Sequence, residues 1–294
     1  MTAPKEGLLD IATSNLPLLL PALGYTLAWL AVRFVFYAIL RACWRSKATG
    51  KEPKDVGLQE KIMEESYDII GSLVAFALGL EALKYSDQGG CGLLSTRDCF
   101  SGWPSAGALR APAVTLYHTV ELGWYLHYLA KHRLGMGMQD NLAMHLHHGS
   151  TLTLLFISFT FNLHRIGVLV LFVLNLSNPF LHVAKVAHYT GARSDKLTFL
   201  LFAVTFFVSR ILVFPAVVLK ASLLDSVRAN PAFLAADQHL PVYAIANLLL
   251  LALMVMQVQW FRGIVRLLAK ALGGSQDEFT QESQAHDYAK TKDE

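Results

Sequence analysis

The chain has 294 residues, 54% of them hydrophobic and only 16% charged, with a mean hydropathy of +0.40 and a net charge of +3. Those figures exclude an ordinary soluble domain of this length. The positive charge is spread over short loops, so it reads as a membrane-topology signal and not as a surface for nucleic acid.

Spanning about 30 Å of hydrocarbon takes roughly 20 mainly apolar residues, and about seven such stretches follow one another: 16–40, 66–85, 113–130, 142–163, 166–189, 197–219 and 242–268. The first lacks a basic leader cluster and contains Arg33, so it is read as a retained helix and not a cleavable signal. Arg41, Arg45, Lys47, Lys51, Lys54 and Lys61 follow it. Lys131 and Arg133 follow the third stretch, Arg193 and Lys196 the fifth, and Arg262, Arg266 and Lys270 flank the seventh. Because cytoplasmic loops retain Lys and Arg, this pattern predicts an N-terminus outside the cytoplasm and a C-terminus inside it.

The loop between the second and third stretches carries Cys91 and Cys99 on the predicted non-cytoplasmic side, where they form either a disulfide or two unpaired thiols. The third stretch spaces His118, Glu121, Tyr125 and Tyr128 at steps of three or four, which puts them on one helical face. The fourth holds His147 and His148 side by side, followed by Gly149, Ser150 and Thr151. The fifth carries a polar stripe of Asn175, Asn178, His182, Lys185 and Tyr189, with Pro179 predicted to kink it. Arg210 is isolated in the sixth, as a structural partner or a phosphate contact. The polar segment from Gly273 ends with Lys290 and Lys292 near Glu294, either a solvated tail or a dilysine-type retrieval signal for the endoplasmic reticulum. Three units are expected: an N-terminal helix and basic loop over 1–65, a helical membrane domain over 66–270, and a polar tail over 271–294.

Ionisable groups at membrane depth are costly and mark functional sites. A neutral imidazole can serve as general base, general acid or acyl acceptor. Adjacent histidines project about 100° apart on a helix, so His147 and His148 can divide such tasks. Glu121 reads either as an ordinary ion-pair partner or as a counter-charge for an imidazole. The histidines show no repeated box pattern, so no metal is expected.

The His147-His148 pair, the segment 174–185 and the segment 208–215 occur in the order and spacing of the TLC domain, and the chain resembles the ceramide synthases most. The run Cys99-Phe100-Ser101-Gly102-Trp103-Pro104, followed by Tyr117 and Glu121, is similar to the family's approach to its histidine pair. The resemblance covers roughly residues 67–261. It implies an all-helical bundle of six spans around a lipid cavity, lined by the third to sixth spans, plus an N-terminal helix. It also implies transfer of a fatty acyl group from acyl-CoA to a sphingoid-base amine, without a further cofactor. His147 and His148 would be catalytic, with His148 the acyl acceptor or either one a base. Asn175, Asn178, His182, Glu121, His118, Tyr125 and Arg210 would support the cavity, and Lys131, Arg133, Lys185 and Arg193 would contact CoA phosphates. The expected partners are membrane lipids and the two substrates, with a homo- or heterodimer left open. The segment 223–239 is where the resemblance would place an influence on acyl selection. Asn175 and Asn178 depart from the family's aspartates, and His182 stands where an acidic residue is common; these departures support a second reading, a non-catalytic TLC-domain protein that binds, moves or regulates lipids.

Overall fold

The computed structural model describes residues 7–47, 56–88, 90–96, 98–104, 111–138, 140–234 and 239–273. The predicted tail and its lysines lie outside them. Helices α1 (Leu8–Asn15) and α2 (Pro21–Lys47) are joined by a tight 3-10 turn. Then come α3 (Val56–Gln88), α4 (Pro112–Arg133), α5 (Leu142–Thr160), α6 (His164–Asn175) and α7 (Asn178–Tyr189). Next are α8 (Asp195–Phe206) and its wider π-helical continuation (Phe207–Leu219), the short α9 (Ser226–Ala229) and the long α10 (His239–Gly273). No β-strand occurs among the described residues.

The helical rods overlap the seven stretches expected from hydropathy, but α3 begins at Val56, inside what was expected as the basic loop ending at 65, and the fifth stretch is divided. Five are long and apolar enough to cross a membrane on their own. The remaining two, α4 and α5, have 22 and 19 residues and carry His118, Glu121, His127, Lys131, His145, His147 and His148, which makes them the polar pair of the bundle. Large apolar side chains such as Leu27, Phe34, Leu248 and Val255 point outward on other helices, as contact with lipid requires.

Helices α3, α4, α5, α10, α8 and α7 pack one on the next and close a ring, while α2 lies outside it against α4. The close α2–α4 approach depends on Gly123, where a Cβ would come 2.6 Å from that of Tyr25 and 3.0 Å from the Ala22 carbonyl. Arg33 of α2 is buried and reaches inward to Glu64 of α3 at 2.5 Å, with its guanidinium over the rings of Tyr37 and Tyr67. The lone arginine of the first span is therefore an ion-pair anchor, as a charge at membrane depth requires.

The fifth stretch is two helices. Pro179 has no N–H to give the Asn175 carbonyl and its ring crowds that turn, so α6 ends at Asn175 and α7 restarts with the proline in its first turn. Before the break α6 is buried on all sides from Ile166 to Asn175, packed on α3, α4, α5 and the π segment. Beyond it α7 joins the wall of the ring, against α3 and α8. The middle of the bundle is thus filled at one end and hollow at the other.

The filled end carries the α3–α4 loop. Cys91 and Cys99 are joined in a disulfide. Trp103 stacks on Phe233 with centroids 4.1 Å apart and donates its indole N–H to the Phe161 carbonyl at 2.8 Å. Asn230 donates to the Trp103 carbonyl, so part of the segment 223–239 is tied to this plug.

Candidate functional site

The hollow end holds a cavity of about 230 Å³. Its wall includes the expected third to sixth spans, but α3 and α10 contribute as well, through Glu65, Asp68 and Ser72 on one side and Trp260, Gly263 and Ile264 on the other. The expectation of a four-span lining is therefore corrected to a six-span one, because the ring closes through α10 and leaves α3 facing the break in α6–α7.

His147 and His148 lie in the second turn of α5, and both line the cavity. The Asn141 side chain starts the helix by accepting the Met144 N–H at 3.0 Å. His147 is buried, with its ring 5.2 Å from that of Trp260. His148 stands between Tyr125 and Tyr128, at 5.7 and 4.9 Å between centroids, and its Nδ1 lies 3.3 Å from Oδ2 of Asp140. Nε2 of His132 approaches the same oxygen at 2.9 Å. Burial opposes ionisation of Asp140, but the hydrogen bonds from His132 and His148 and the nearby Lys131 outweigh it and hold the carboxyl well below the usual carboxylate range. A neutral His148 that donates Nδ1–H to Asp140 would carry its free electron pair on Nε2. Asp140 has no helical periodicity to mark it in the sequence, being a loop residue between two spans.

Asn175 and Asn178 form a directional chain across the helix break. Arg210, at the start of the π segment, donates to the Leu174 carbonyl and to Asn178 Oδ1 at 2.6 Å each and to Ser177 Oγ at 3.1 Å. Asn178 Nδ2 donates to Asn175 Oδ1 at 3.1 Å, and Asn175 Nδ2 donates to Glu121 Oε2 at 3.1 Å and to the Tyr117 hydroxyl at 3.2 Å. Each amide accepts on one side and donates on the other, which a carboxylate cannot do. Of the two roles open to Arg210, the structural one is realised: it satisfies a carbonyl orphaned at the C-terminus of α6, where a cation also suits the helix dipole.

Several assignments are corrected. Glu121 meets Asn175, not an imidazole. His118 is packed away from the cavity lining, with Nδ1 3.0 Å from the Val114 carbonyl and Nε2 3.4 Å from Ser158 Oγ, under Gly167, where a Cβ would come within 2.9 Å of it. Lys131 is no surface phosphate contact: it is 1% exposed and bonded to Glu64, a carboxylate it shares with Arg33 and the Tyr37 hydroxyl. Lys185 is partly buried and paired with Glu65 at 3.0 Å, while His182 Nδ1 meets the other oxygen of Glu65 at 2.7 Å. Arg133 and Arg193 are exposed at the hollow end, as are Arg262 and Arg266 of α10.

Glu64, Glu65 and Asp68 were missed, as was Asp140. Flanked by Lys61 and lying where the second stretch begins, the two glutamates read as solvated loop charges. The signal available was Asp68, a carboxylate inside an apolar run.

A polytopic helical membrane protein with an imidazole pair lining a largely apolar cavity that carries a few polar groups is the class that this architecture defines. Residues 61–266 match the TLC domain, and the chain belongs to the TLC-domain family. It is 29% identical to mouse ceramide synthase 5 over 180 residues, 60% of this chain and 41% of that protein. It is 34% identical to human ceramide synthase 1 over 146 residues, 46% of this chain and 40% of the relative. ASC1-like protein 3 of Oryza sativa subsp. japonica is 27% identical over 250 residues, 82% of this chain and 83% of that one. The chain thus spans about half or less of the length of these two mammalian relatives and most of the rice protein's.

Proposed function

We propose that the protein is an acyl-CoA-dependent N-acyltransferase of the endoplasmic reticulum membrane, transferring a fatty acyl group to a sphingoid-base amine, with its C-terminus in the cytoplasm. The observation that carries this reading is the His147–His148 pair lining a cavity inside the bundle, with His148 Nδ1 3.3 Å from Asp140 Oδ2. The names of the relatives supply the substrate class.

The geometry suits a nucleophile or base with an orienting carboxylate. In the covalent route His148 Nε2 attacks the thioester carbonyl, the C–S bond breaks, and the CoA thiolate takes a proton. The amine, having lost a proton, then attacks the acyl-imidazole; the C–N bond to histidine breaks and the amide is released. In the direct route the amine nitrogen attacks the thioester itself while His148 accepts its proton. Both routes use the same residues, with His147 as the second proton carrier. The cavity is smaller than the roughly 300–1000 Å³ typical of sites for drug-sized ligands. It suits two reacting head groups whose tails extend between the helices towards lipid. Arg133 and Arg193 remain the candidates for CoA phosphates, being charged and exposed at the hollow end.

The alternative is a lipid-binding, transport or regulatory protein that retains the cavity without the reaction, favoured by amides at 175 and 178. Purified protein in detergent, given a panel of acyl-CoAs and sphinganine, is expected to form ceramide and free CoA in equal amounts by mass spectrometry. His148→Ala is expected to lose about 10²-fold or more of that turnover. Saturable lipid binding without product would favour the alternative.

A further inference from the structure

The hollow end contains one more chemical feature that the transfer reaction described above leaves unused. Asp68 lies on α3, lines the cavity and is 5% exposed, yet its Oδ1 is buried with no hydrogen-bond partner among the described residues. Its neighbours are already committed. Glu64 takes Arg33, Lys131 and Tyr37, and Glu65 takes His182 and Lys185. A buried carboxylate oxygen without a donor is costly, and in a cavity wall it marks the place of a ligand that brings one. One turn along the same face, Ser72, which also lines the cavity, gives its proton to the Ile69 carbonyl at 2.9 Å and so keeps its hydroxyl oxygen as an acceptor. Tyr128 links this corner to the histidines: its hydroxyl adjoins Asp68, and its ring centroid is 4.9 Å from that of His148.

Two ligand chemistries fit carboxylates at such a corner. Glu65, Asp68 and His182 bring one donor atom each within 4.8 Å of one another, which is close enough for a divalent cation. A metal would have to displace Lys185 and His182 from Glu65, whereas a primary ammonium needs only Asp68 as it stands. We propose that Asp68 is the recognition site for the cationic head of a long-chain primary amine, with the ammonium donating to Oδ1 and a neighbouring substrate hydroxyl donating to Ser72. The bound amine then enters the cavity on the α3 side, with Tyr128 between its site and His148.

This assignment rests on the amine acyltransferase reading, and its test needs no acyl-CoA, so failure of catalysis and failure of recognition are separable. Equilibrium binding of sphinganine and of N-acetylsphinganine to the purified full chain in detergent is the measurement. The wild type is expected to prefer the free amine. Asp68→Asn is expected to weaken free-amine binding about ten- to hundredfold, the scale of a lost hydrogen bond between charged groups, with binding of the N-acetyl compound unchanged and Asp68→Glu restoring part of the loss. A wild type that does not distinguish the two compounds overturns the proposal, as does an Asp68→Asn protein that binds the amine normally. Where Asp68→Asn does not fold, labelling of wild-type Asp68 by a hydrophobic carbodiimide decides: protection by sphinganine and not by its N-acetyl derivative is expected, and equal labelling with both overturns the assignment.

Discussion

In the proposed reaction the imidazole of His148 is useful only if one ring nitrogen is fixed, and Asp140, 3.3 Å from Nδ1, is placed to fix it. A histidine free to flip would present either nitrogen to the cavity and would lose the stabilisation of its charged form when it takes up a proton. Asp140→Asn keeps the shape, removes the charge and can present an N–H to the ring, favouring the wrong tautomer. It is expected to cut turnover by about 10²–10⁴-fold, measured as ceramide formed per mole of enzyme at saturating substrates. Turnover within about twofold of wild type would show that the carboxylate does not position this ring. The same residue leaves a mark on stability. Its carboxyl is held below the usual range, that is, below its value in the unfolded chain. Its contribution is therefore complete above the unfolded value near 3.9 and is lost as pH falls towards the folded value. Thermal unfolding in detergent between about pH 5 and pH 3 should show a smaller acid-side decline for Asp140→Asn than for wild type. Nothing in local sequence marks Asp140, since the residue acts from a loop, outside any helical repeat. His147 and His148 were legible because two imidazoles inside an apolar run are improbable without a use.

At the scale of elements, the break between α6 and α7 shapes the cavity, and the Arg210–Asn178–Asn175–Glu121 chain holds it. Pro179 signalled a kink, and the stripe of polar residues signalled a polar face, so both halves of this feature were readable in the sequence. Their connection was not: which polar group meets which depends on α4 and the π segment arriving at the same depth, a tertiary fact without a local pattern. That connection changes the meaning of the asparagines. An aspartate at 175 would place a second buried carboxylate against Glu121 where a donor is needed. Asn175→Asp is therefore expected to destabilise the protein by roughly 1–3 kcal/mol, the cost of leaving a buried acceptor unmatched, read as a lowered thermal transition in detergent. Glu121→Gln combined with Asn175→Asp restores a donor–acceptor pair and should recover most of that loss, with a positive coupling in a double-mutant cycle. Strict additivity of the two substitutions would mean that the 3.1 Å contact does not govern the pair.

For the whole molecule, hydropathy alone anticipated the sequence of spans, because each rod must be apolar wherever it meets lipid. It did not anticipate the ring. Helix α3 begins at Val56 and so carries Glu64, Glu65 and Asp68 into the bundle, although charge and basic neighbours gave the two glutamates the look of a loop. Long polar residues near a span end look alike in sequence whether they are solvated or buried in ion pairs, and only the arrival of Arg33 and Lys131 from α2 and α4 separates the two cases. The same arrangement polarises the molecule: the disulfide and Trp103 close the filled end, while the histidines, the carboxylates and the exposed Arg133 and Arg193 gather at the other. A bulky, polyanionic acyl donor can be met only at that second end, so the activity proposed here requires it to face the cytoplasm. Cys43, exposed towards the hollow-end terminus of α2, reports on that side, and Cys91 and Cys99 report on the other. In sealed microsomes a membrane-impermeant maleimide is expected to label Cys43 without permeabilisation. Cys91 and Cys99 should become reactive only after the membrane has been opened and the disulfide reduced. Labelling of Cys91 or Cys99 in sealed, reduced vesicles, with Cys43 protected, would invert the bundle and turn the cavity away from cytoplasmic acyl-CoA, and the proposed reaction would lose its acyl donor.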